Sequence, residues 1–505
     1  MPMLKCSLFS RLGRIRQLNN AWAIYPSALN TRYIHALGVM HLAGTFASDI
    51  LHRSLIELRE LKEYKDLESK KIEGIIRIAR FWGLIHDIGH GPFSHAFEFY
   101  VLFDKGYNHE TIVPEIYKHD KQFKKVINDF VNEIKKYYGG SFSAQLLLDI
   151  FRIEGEQKEL QNHEILYILS KLIKGPTYSL DEIDYLLRDS HFCGTPEYGT
   201  IDWKRIMSLS RIIFSKELKK IELILEEKAL QALFNYYWSK FFMYNAVYYH
   251  NRCHAIEKYL REIFIFLKDQ DLFKPYIHKS NLKNYHILDD SFILNTLLEK
   301  KQKITDRGLK RLFTDYYQKL IDLYNFEIPF TYLGKSNNNE ITQKIILAAP
   351  MDRIKIASEY QVKFVDEVKV KFNEKIKELR QEKDKQVFVE KLEDCYNNYV
   401  NNVFFHHIVI SANDKDFIDT KSAIQHLMYK TKGKRYIVKK FYMLNEQMEE
   451  KDVSVEYREL IEKIPYNENE SKILVPNDLY DVLVEDFPEM IETILRCYEN
   501  IDKTN

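Results

Sequence analysis

The chain has 505 residues, more than one compact core usually accommodates, and its 45% hydrophobic and 14% aromatic content can build a large lobe and at least one more. Its 74 Lys and Arg stand against 73 Asp and Glu, which excludes a general basic coat for nucleic acid and leaves only local patches. Five cysteines, Cys6, Cys193, Cys253, Cys395 and Cys497, are odd in number, far apart and never C-x-x-C, so a disulfide framework is excluded and a reducing compartment is expected.

The N-terminal run MPMLKCSLFSRLGRIRQLNN interrupts its apolar residues with Arg11, Arg14 and Arg16 and builds no signal-peptide core. No stretch reads as the long charge-free segment that a membrane span requires, so the expectation is a soluble cytoplasmic protein with no membrane partner. Next in the chain, RYIHALGVMHLAG places His35, Val39 and Leu42 at i, i+4 and i+7, so His35 is expected on the core face of a helix. The segment from Ile72 to Ile88 reads as a strongly apolar helix, stopped by Gly89 and Gly91 and restarted by Pro92. His86 and Asp87 then fall in its last turn, where the helix dipole favours a cation. His90 sits in the glycine-flanked turn and His95 opens the next helix. In PTYSLDEIDYLLRDS, Ser179 and Glu182 form a capping-box signature just before Asp181. Asp181, Asp184, Tyr185, Arg188 and Asp189 then share one polar face.

Beyond about residue 270 the character changes to a mixture of strands and helices. KIILAAP, VFFHHIVIS and KRYIVKKFYML read as short β-rich runs, while Phe364, Val368, Phe372, Ile376 and Leu379 mark one long amphipathic helix. Asn337 to Asn339 read as a loop tip. The pair His406 and His407 would face opposite sides of a strand, which argues against a shared metal. Lys430 to Arg435, KTKGKR, reads as a solvated basic turn rather than a nucleic-acid grip.

His35, His86, Asp87 and Asp181 together offer two imidazoles and two carboxylates, a set suited to a divalent ion such as zinc, iron or manganese. Singly, a buried His is more often a core residue and an Asp at a helix start more often a cap. The conjunction is different. An apolar helix ending in His-Asp is followed by GHGPFSH, by Asn108-His109-Glu110 and by the polar-faced helix, and unpaired buried polar atoms cost about 1 to 3 kcal/mol each.

The run RLGRIRQLNNAWAIYPSALNTRYIHALGVMHLAG, followed by HDIGHGPFSH, NHE and DEIDYLLRD, resembles the HD-domain phosphohydrolases, and within them the deoxynucleoside triphosphate triphosphohydrolases of the sterile-alpha-motif and HD-domain branch with its bacterial relatives. The resemblance runs from Phe9 to about residue 265. It implies that His35, His86, Asp87 and Asp181 hold a divalent metal, with Mn, Fe, Zn and Mg all left open. It implies that His90, His95 and His109 line the phosphates, with His95 as proton donor to the leaving 5′ oxygen, and that Arg32 neutralises phosphate charge. Gln17, Tyr185 and Asp189 would hold the 3′ hydroxyl, Leu18 and Tyr248 would crowd C2′ against a ribose, and Lys240 would meet the terminal phosphate.

Three differences set the chain apart from the family pattern. Glu182 replaces a common Lys, and its expected task is the capping box. Lys5, Ser10 and Gly13 lack the Asp, Gln and Arg of the family's nucleotide-activator site, and Tyr249 replaces a Gln. The fold expected is mainly α, with a helical HD-domain catalytic lobe over 1–270 and a smaller mixed α+β C-terminal lobe over 271–505 serving regulation or oligomerisation. The function expected is metal-dependent hydrolysis of dNTPs to deoxynucleoside and triphosphate, lowering the dNTP pool in nucleotide homeostasis or defence against viruses or phage. The expected partners are the dNTP, further copies of the chain in an oligomer and a nucleotide effector. The alternatives are an HD phosphodiesterase or nuclease, which would not need the sugar-reading set, and a non-catalytic nucleotide sensor.

Overall fold

The computed structural model describes residues 2–65, 67–152, 157–175, 177–215, 220–278, 281–327, 330–337, 341, 344, 350–382, 384–407, 442–444, 450–452 and 470–501. The protein is mainly helical with two small sheets. It divides into two compact units: Met1–Val247 with Ile263–Tyr317 and Asp419–Ile464, and Tyr248–Glu262 with Gln318–Ile418 and Pro465–Asn505. The division is therefore not a single cut after residue 270, because residues 271–317 belong with the first unit.

In the first unit, α1 (Arg32–Arg53) and α2 (Ser69–Ile85) pack most extensively against each other. The inward positions of α1, among them His35, Ala36, Val39, Ala43, Phe46, Ala47 and Ile50, recur every three or four residues and are buried. Helix α1 is 22 residues long and apolar enough by composition to cross a membrane, which qualifies the reading that no stretch reaches that limit. Just over half of its most apolar stretch is packed inside the fold, and it begins on Arg32 and carries His35 inward.

Helix α3 (Lys121–Tyr138) starts on Asp120, whose carboxylate accepts from the backbone N–H of Phe123 at 2.9 Å, and buries Phe123, Ile127, Val131 and Ile134. Helices α4 (Glu164–Ile173), α5 (Leu180–Phe192) and α6 (Leu230–Met243) complete the surroundings of the site. The first unit is not all helical, whereas the sequence suggested an all-helical lobe. Strands β1 (Ser210–Ser215) and β2 (Lys220–Glu226) pair antiparallel as a hairpin. Runs such as RIIF and IELILE are too short for periodicity to separate strand from buried helix, and the pairing itself decides.

The second unit contains β3 (Phe330–Asn337) and α8 (Pro350–Leu379), the latter numbered after α7 (Asp290–Lys303) of the first unit. It continues through α9 (Gln386–Asn398), β4 (Phe404–His407), β7 (Glu470–Pro476), α10 (Asn477–Asp486) and α11 (Pro488–Glu499). Strand β7 lies between β3 and β4, antiparallel to both. Two further strands fall in the first unit: β5 (Tyr442–Leu444), parallel to β2, and β6 (Glu450–Asp452), antiparallel to β5. Phe364, Val368, Phe372, Ile376 and Leu379 are buried in one apolar cluster with Leu479, Leu483 and Ile494, as their spacing predicts. Of KIILAAP, the described residues Lys344 and Pro350 have helical rather than extended backbone. Lys430 to Arg435, Asn338 and Asn339 lie outside the described residues.

Candidate metal centre and histidine cluster

His35 is fully buried on α1, and His86 caps the C-terminus of α2. The two helices meet where Gly83 faces the backbone of α1, since a Cβ there would lie 2.7 Å from the Val39 carbonyl oxygen. His35 Nδ1 bonds Asp184 Oδ2 at 2.8 Å and His86 Nδ1 bonds the Gly83 carbonyl at 2.8 Å. Each bond fixes a ring and turns its Nε2 toward the other, with 3.2 Å between them. Asp181 Oδ1, in the first turn of α5, lies 2.9 Å from His35 Nε2 and 3.5 Å from His86 Nε2. Asp87 adds its Oδ1 at 3.4 Å from His86 Nε2 and its Oδ2 at 3.7 Å from His35 Nε2.

This donor set fits a divalent ion. Ligands held about 2.0 to 2.2 Å from one centre lie roughly 3 to 3.5 Å from each other, close to the spacing that His35, His86 and Asp181 already have, with Asp87 beside them. The electrostatics agree. Burial would raise the carboxyls of Asp87 and Asp181, yet both are held well below the usual range: Asp87 by His86, Arg32 and His90, and Asp181 by His86 and His35. Burial would lower His35, but its bonds to Asp181 and Asp184 push it up to about 10. A charge so favoured invites replacement by a cation.

Gly83→Ala is expected to force α1 and α2 apart, at a cost of about 1 to 3 kcal/mol. It should weaken Mn²⁺ binding by separating His35 from His86. Titration calorimetry with a parallel thermal melt checks this, and unchanged Mn²⁺ affinity would refute the account of the crossing.

Helix α2 ends at Ile85, three residues earlier than Ile88, so Asp87 lies in the turn beyond it. The next helix starts at His95, as its position suggested, but Pro92 is not part of it, because Phe93 and Ser94 have φ of 52° and 54°. Side chains rarely adopt that region, and each such residue costs on the order of 1 to 3 kcal/mol unless the surroundings impose it. Here Arg32 supplies part of the constraint. Its guanidinium is buried, pairs with Asp87, and donates from Nε to Ser94 Oγ at 2.7 Å. Arg32 therefore touches a member of the quartet and the corner that precedes His95.

A second group lies alongside. The His90 and His109 rings stack with centroids 3.9 Å apart, and the His95 ring stands edge-on to His90 at 4.8 Å. Glu98 Oε2 meets His95 Nδ1 at 3.0 Å, while Glu98 Oε1 meets His109 Nδ1 at 3.0 Å and the His109 backbone N–H at 3.2 Å. One carboxylate thus orients two imidazoles and leaves both Nε2 atoms for other work. Burial would raise Glu98, but His109 and His95 hold it well below the ordinary range. His90 is held low by burial, Arg32 and His109, and is therefore neutral. Its Nε2 stands 3.6 Å from Asp87 Oδ1, which joins the two groups.

The sequence reading had no role for Glu98, although the i, i+3 spacing of His95 and Glu98 was available. It saw Asp184 only as part of a polar face, whereas Asp184 bridges His35 and the Arg188 guanidinium. Of the sugar-reading set, Asp189 accepts from Asn30 Nδ2 at 2.7 Å, and Asn30 O accepts from the Gln17 backbone N–H at 2.9 Å. The Gln17 Oε1 atom is buried without a partner, an acceptor available to a hydroxyl donor. Leu18 is buried, and Tyr185 OH lies 3.4 Å from Tyr244 OH. Ser179 caps α5 through the Glu182 N–H, as expected, but the Glu182 carboxylate does not complete a capping box. It binds Tyr236 OH and, at 2.9 Å, Lys240 Nζ, so the Lys240 charge is already paired. Tyr248 is buried and falls in the second unit. All five cysteines are buried, and none is joined in a disulfide.

Residues 32–168 match the HD domain family. An uncharacterized protein of Mycoplasma pneumoniae is 26% identical over 352 residues, covering 65% of this chain and 74% of that protein. Deoxynucleoside triphosphate triphosphohydrolase SAMHD1 of Gallus gallus is 28% identical over 294 residues, 55% of this chain and 44% of its own. The Dictyostelium discoideum SAMHD1 homolog is 26% identical over 325 residues, 64% of this chain and 57% of its own. The chain thus spans about half the length of these two triphosphohydrolases.

Proposed function

We propose, from the premise that this is an HD-domain protein of the dNTP triphosphohydrolase-like family, that it hydrolyses dNTPs to deoxynucleoside and inorganic triphosphate. The observation that carries the reading is the convergence of His35, His86 and Asp181, with Asp87 at 3.4 Å from His86, beside a histidine pair oriented by one buried carboxylate. His35, His86, Asp87 and Asp181 would hold the metal, which when bound supplies Lewis-acid polarisation of a phosphoryl oxygen and acidifies water. Arg32 holds Asp87 in place and offers its remaining guanidinium edge to phosphate charge. A water oxygen forms a bond to the α-phosphorus as the bond from that phosphorus to the 5′ oxygen breaks. His95, oriented through its Nδ1 by the Glu98 carboxylate, gives its proton to the leaving 5′ oxygen. Stacked on His109, neutral His90 contacts phosphate oxygens as a hydrogen-bond donor. Gln17, Tyr185 and Asp189 hold the 3′ hydroxyl, and Leu18 closes the space at C2′.

The same reading carries a homo-oligomeric cytoplasmic enzyme with a nucleotide effector, testable by light scattering and by rates in dNTP mixtures. The experiment is direct. The purified protein with Mn²⁺ or Mg²⁺ is incubated with each dNTP and with a ribonucleotide, and the products are resolved by chromatography. Deoxynucleoside and triphosphate from dNTPs, with little ribonucleotide turnover, is the expected result. Inertness toward dNTPs and their mixtures, with cleavage of RNA, DNA or cyclic dinucleotides, would move the assignment to a phosphodiesterase.

A further inference from the structure

The corner that carries Phe93 and Ser94 is clamped from a segment nearly 200 residues away. Asp290, the first residue of α7, is buried, and its Oδ1 accepts from the Phe93 backbone N–H at 2.7 Å. Its Oδ2 accepts from the Arg16 backbone N–H at 3.0 Å. Ser94 Oγ then donates to the Arg16 carbonyl at 2.8 Å, so corner, N-terminal segment and α7 close one ring of bonds. Just before α7, Tyr285 OH donates to the Gly89 carbonyl at 2.7 Å. The fully buried Arg11 donates to the Ile88 and Leu288 carbonyls at 2.9 and 2.8 Å, and its guanidinium lies 4.8 Å from the centre of the Tyr285 ring. Among the described residues, the grips that Arg11, Tyr285 and Asp290 place on the 88–94 turn all fall on its backbone, at Ile88, Gly89 and Phe93.

We propose that Asp290 is a positioning residue for the phosphohydrolase reaction, with Tyr285 and Arg11 as its supports: it holds the left-handed Phe93–Ser94 corner that sets the direction of His90 and His95. The inference rests on the proposed phosphohydrolase reading for its kinetic consequence, but its structural part stands apart from the substrate. The argument runs through geometry. Two adjacent side-chain-bearing residues at positive φ relax unless something outside the turn holds them, and Asp290 is the one side chain among the described hydrogen bonds that accepts from the Phe93 N–H. A packing role alone would not call for a carboxylate there, since burial pushes its carboxyl up to about 6 even with two N–H donors against it. Asp289 beside it does the ordinary tasks, capping α7 and pairing with Arg14.

The test uses the full chain carrying Asp290→Asn, which keeps the shape but turns an NH₂ toward one of the two backbone donors. Tyr285→Phe, milder for folding, serves as a second variant. Three quantities are read: amide hydrogen exchange over residues 88–97, Mn²⁺ affinity by calorimetry, and kcat and KM for the dNTP that the wild type turns over. Faster exchange confined to 88–97, Mn²⁺ affinity and KM within about twofold of wild type, and kcat lowered by about 10²-fold support the proposal, a loss typical of misplaced catalytic groups. Tyr285→Phe should move the same quantities in the same direction by less. Unchanged exchange over 88–97, or exchange that rises equally across α1 and α2 with loss of Mn²⁺ binding, overturns it. If the wild type turns over no dNTP, the phosphohydrolase reading fails, while the exchange and Mn²⁺ readouts still decide whether Asp290 holds the corner.

Discussion

Asp181→Ala is expected to lower turnover by on the order of 10³-fold or more, about 4 kcal/mol of transition-state stabilisation, while the protein remains folded. The Asp181 side chain is partly exposed in the first turn of α5, so its loss costs the helix only about 0.3 to 1 kcal/mol of dipole interaction. Its partner His35 keeps Asp184. Asp87→Ala should differ. It removes a member of the same quartet and also strips the buried Arg32 guanidinium of its carboxylate, and breaking a buried pair costs about 3 to 5 kcal/mol. Turnover should therefore vanish in both variants, with a large fall in melting temperature only for Asp87→Ala. Calorimetric Mn²⁺ titration and thermal melts of the two proteins make the comparison. Full Mn²⁺ affinity and turnover in Asp181→Ala would remove Asp181 from the metal set.

Glu98→Gln is expected to reduce kcat by about 10²- to 10⁴-fold, the usual range for losing general acid catalysis, because the His95 ring then loses the carboxylate that orients it. The same substitution carries a stability signature. The Glu98 carboxyl is depressed in the folded protein, so it contributes stability that is fully present above its ordinary value of 4.5 and is lost as pH falls below it. At pH 7 the variant should be less stable by about 3 kcal/mol, two charge-assisted bonds being weakened rather than removed. Urea melts from pH 7 down to pH 4 should show that gap closing only below about 4.5. A gap independent of pH would mean that Glu98 acts by shape and not by charge.

Features encoded by neighbours in sequence were legible. The period of α1 placed His35 inward, Ser179 marked the start of α5, and the apolar spacing from Phe364 to Leu379 gave the buried face of α8. Local signals also misled. Pro92 suggested a helix start that Phe93 and Ser94 delay to His95, and Glu182 satisfied a capping pattern while its carboxylate reached Lys240 on α6. The β1–β2 hairpin was hidden because its short Ile- and Leu-rich runs carry no period long enough to read.

By itself the sequence determined most of the inventory: the long helices, the apolar face of each, and that two imidazoles and two carboxylates fall in or just beyond helices able to meet. Chain-local sterics and side-chain periodicity are sufficient for that. Tertiary structure alone decided which groups serve which. Asp184 was assigned to His35, one Glu98 carboxylate to two histidines, and Asp290 to a backbone N–H 197 positions earlier. The physical reason is the same in each case. A buried polar group must find a partner, but only packing determines which distant element brings that partner within about 3 Å.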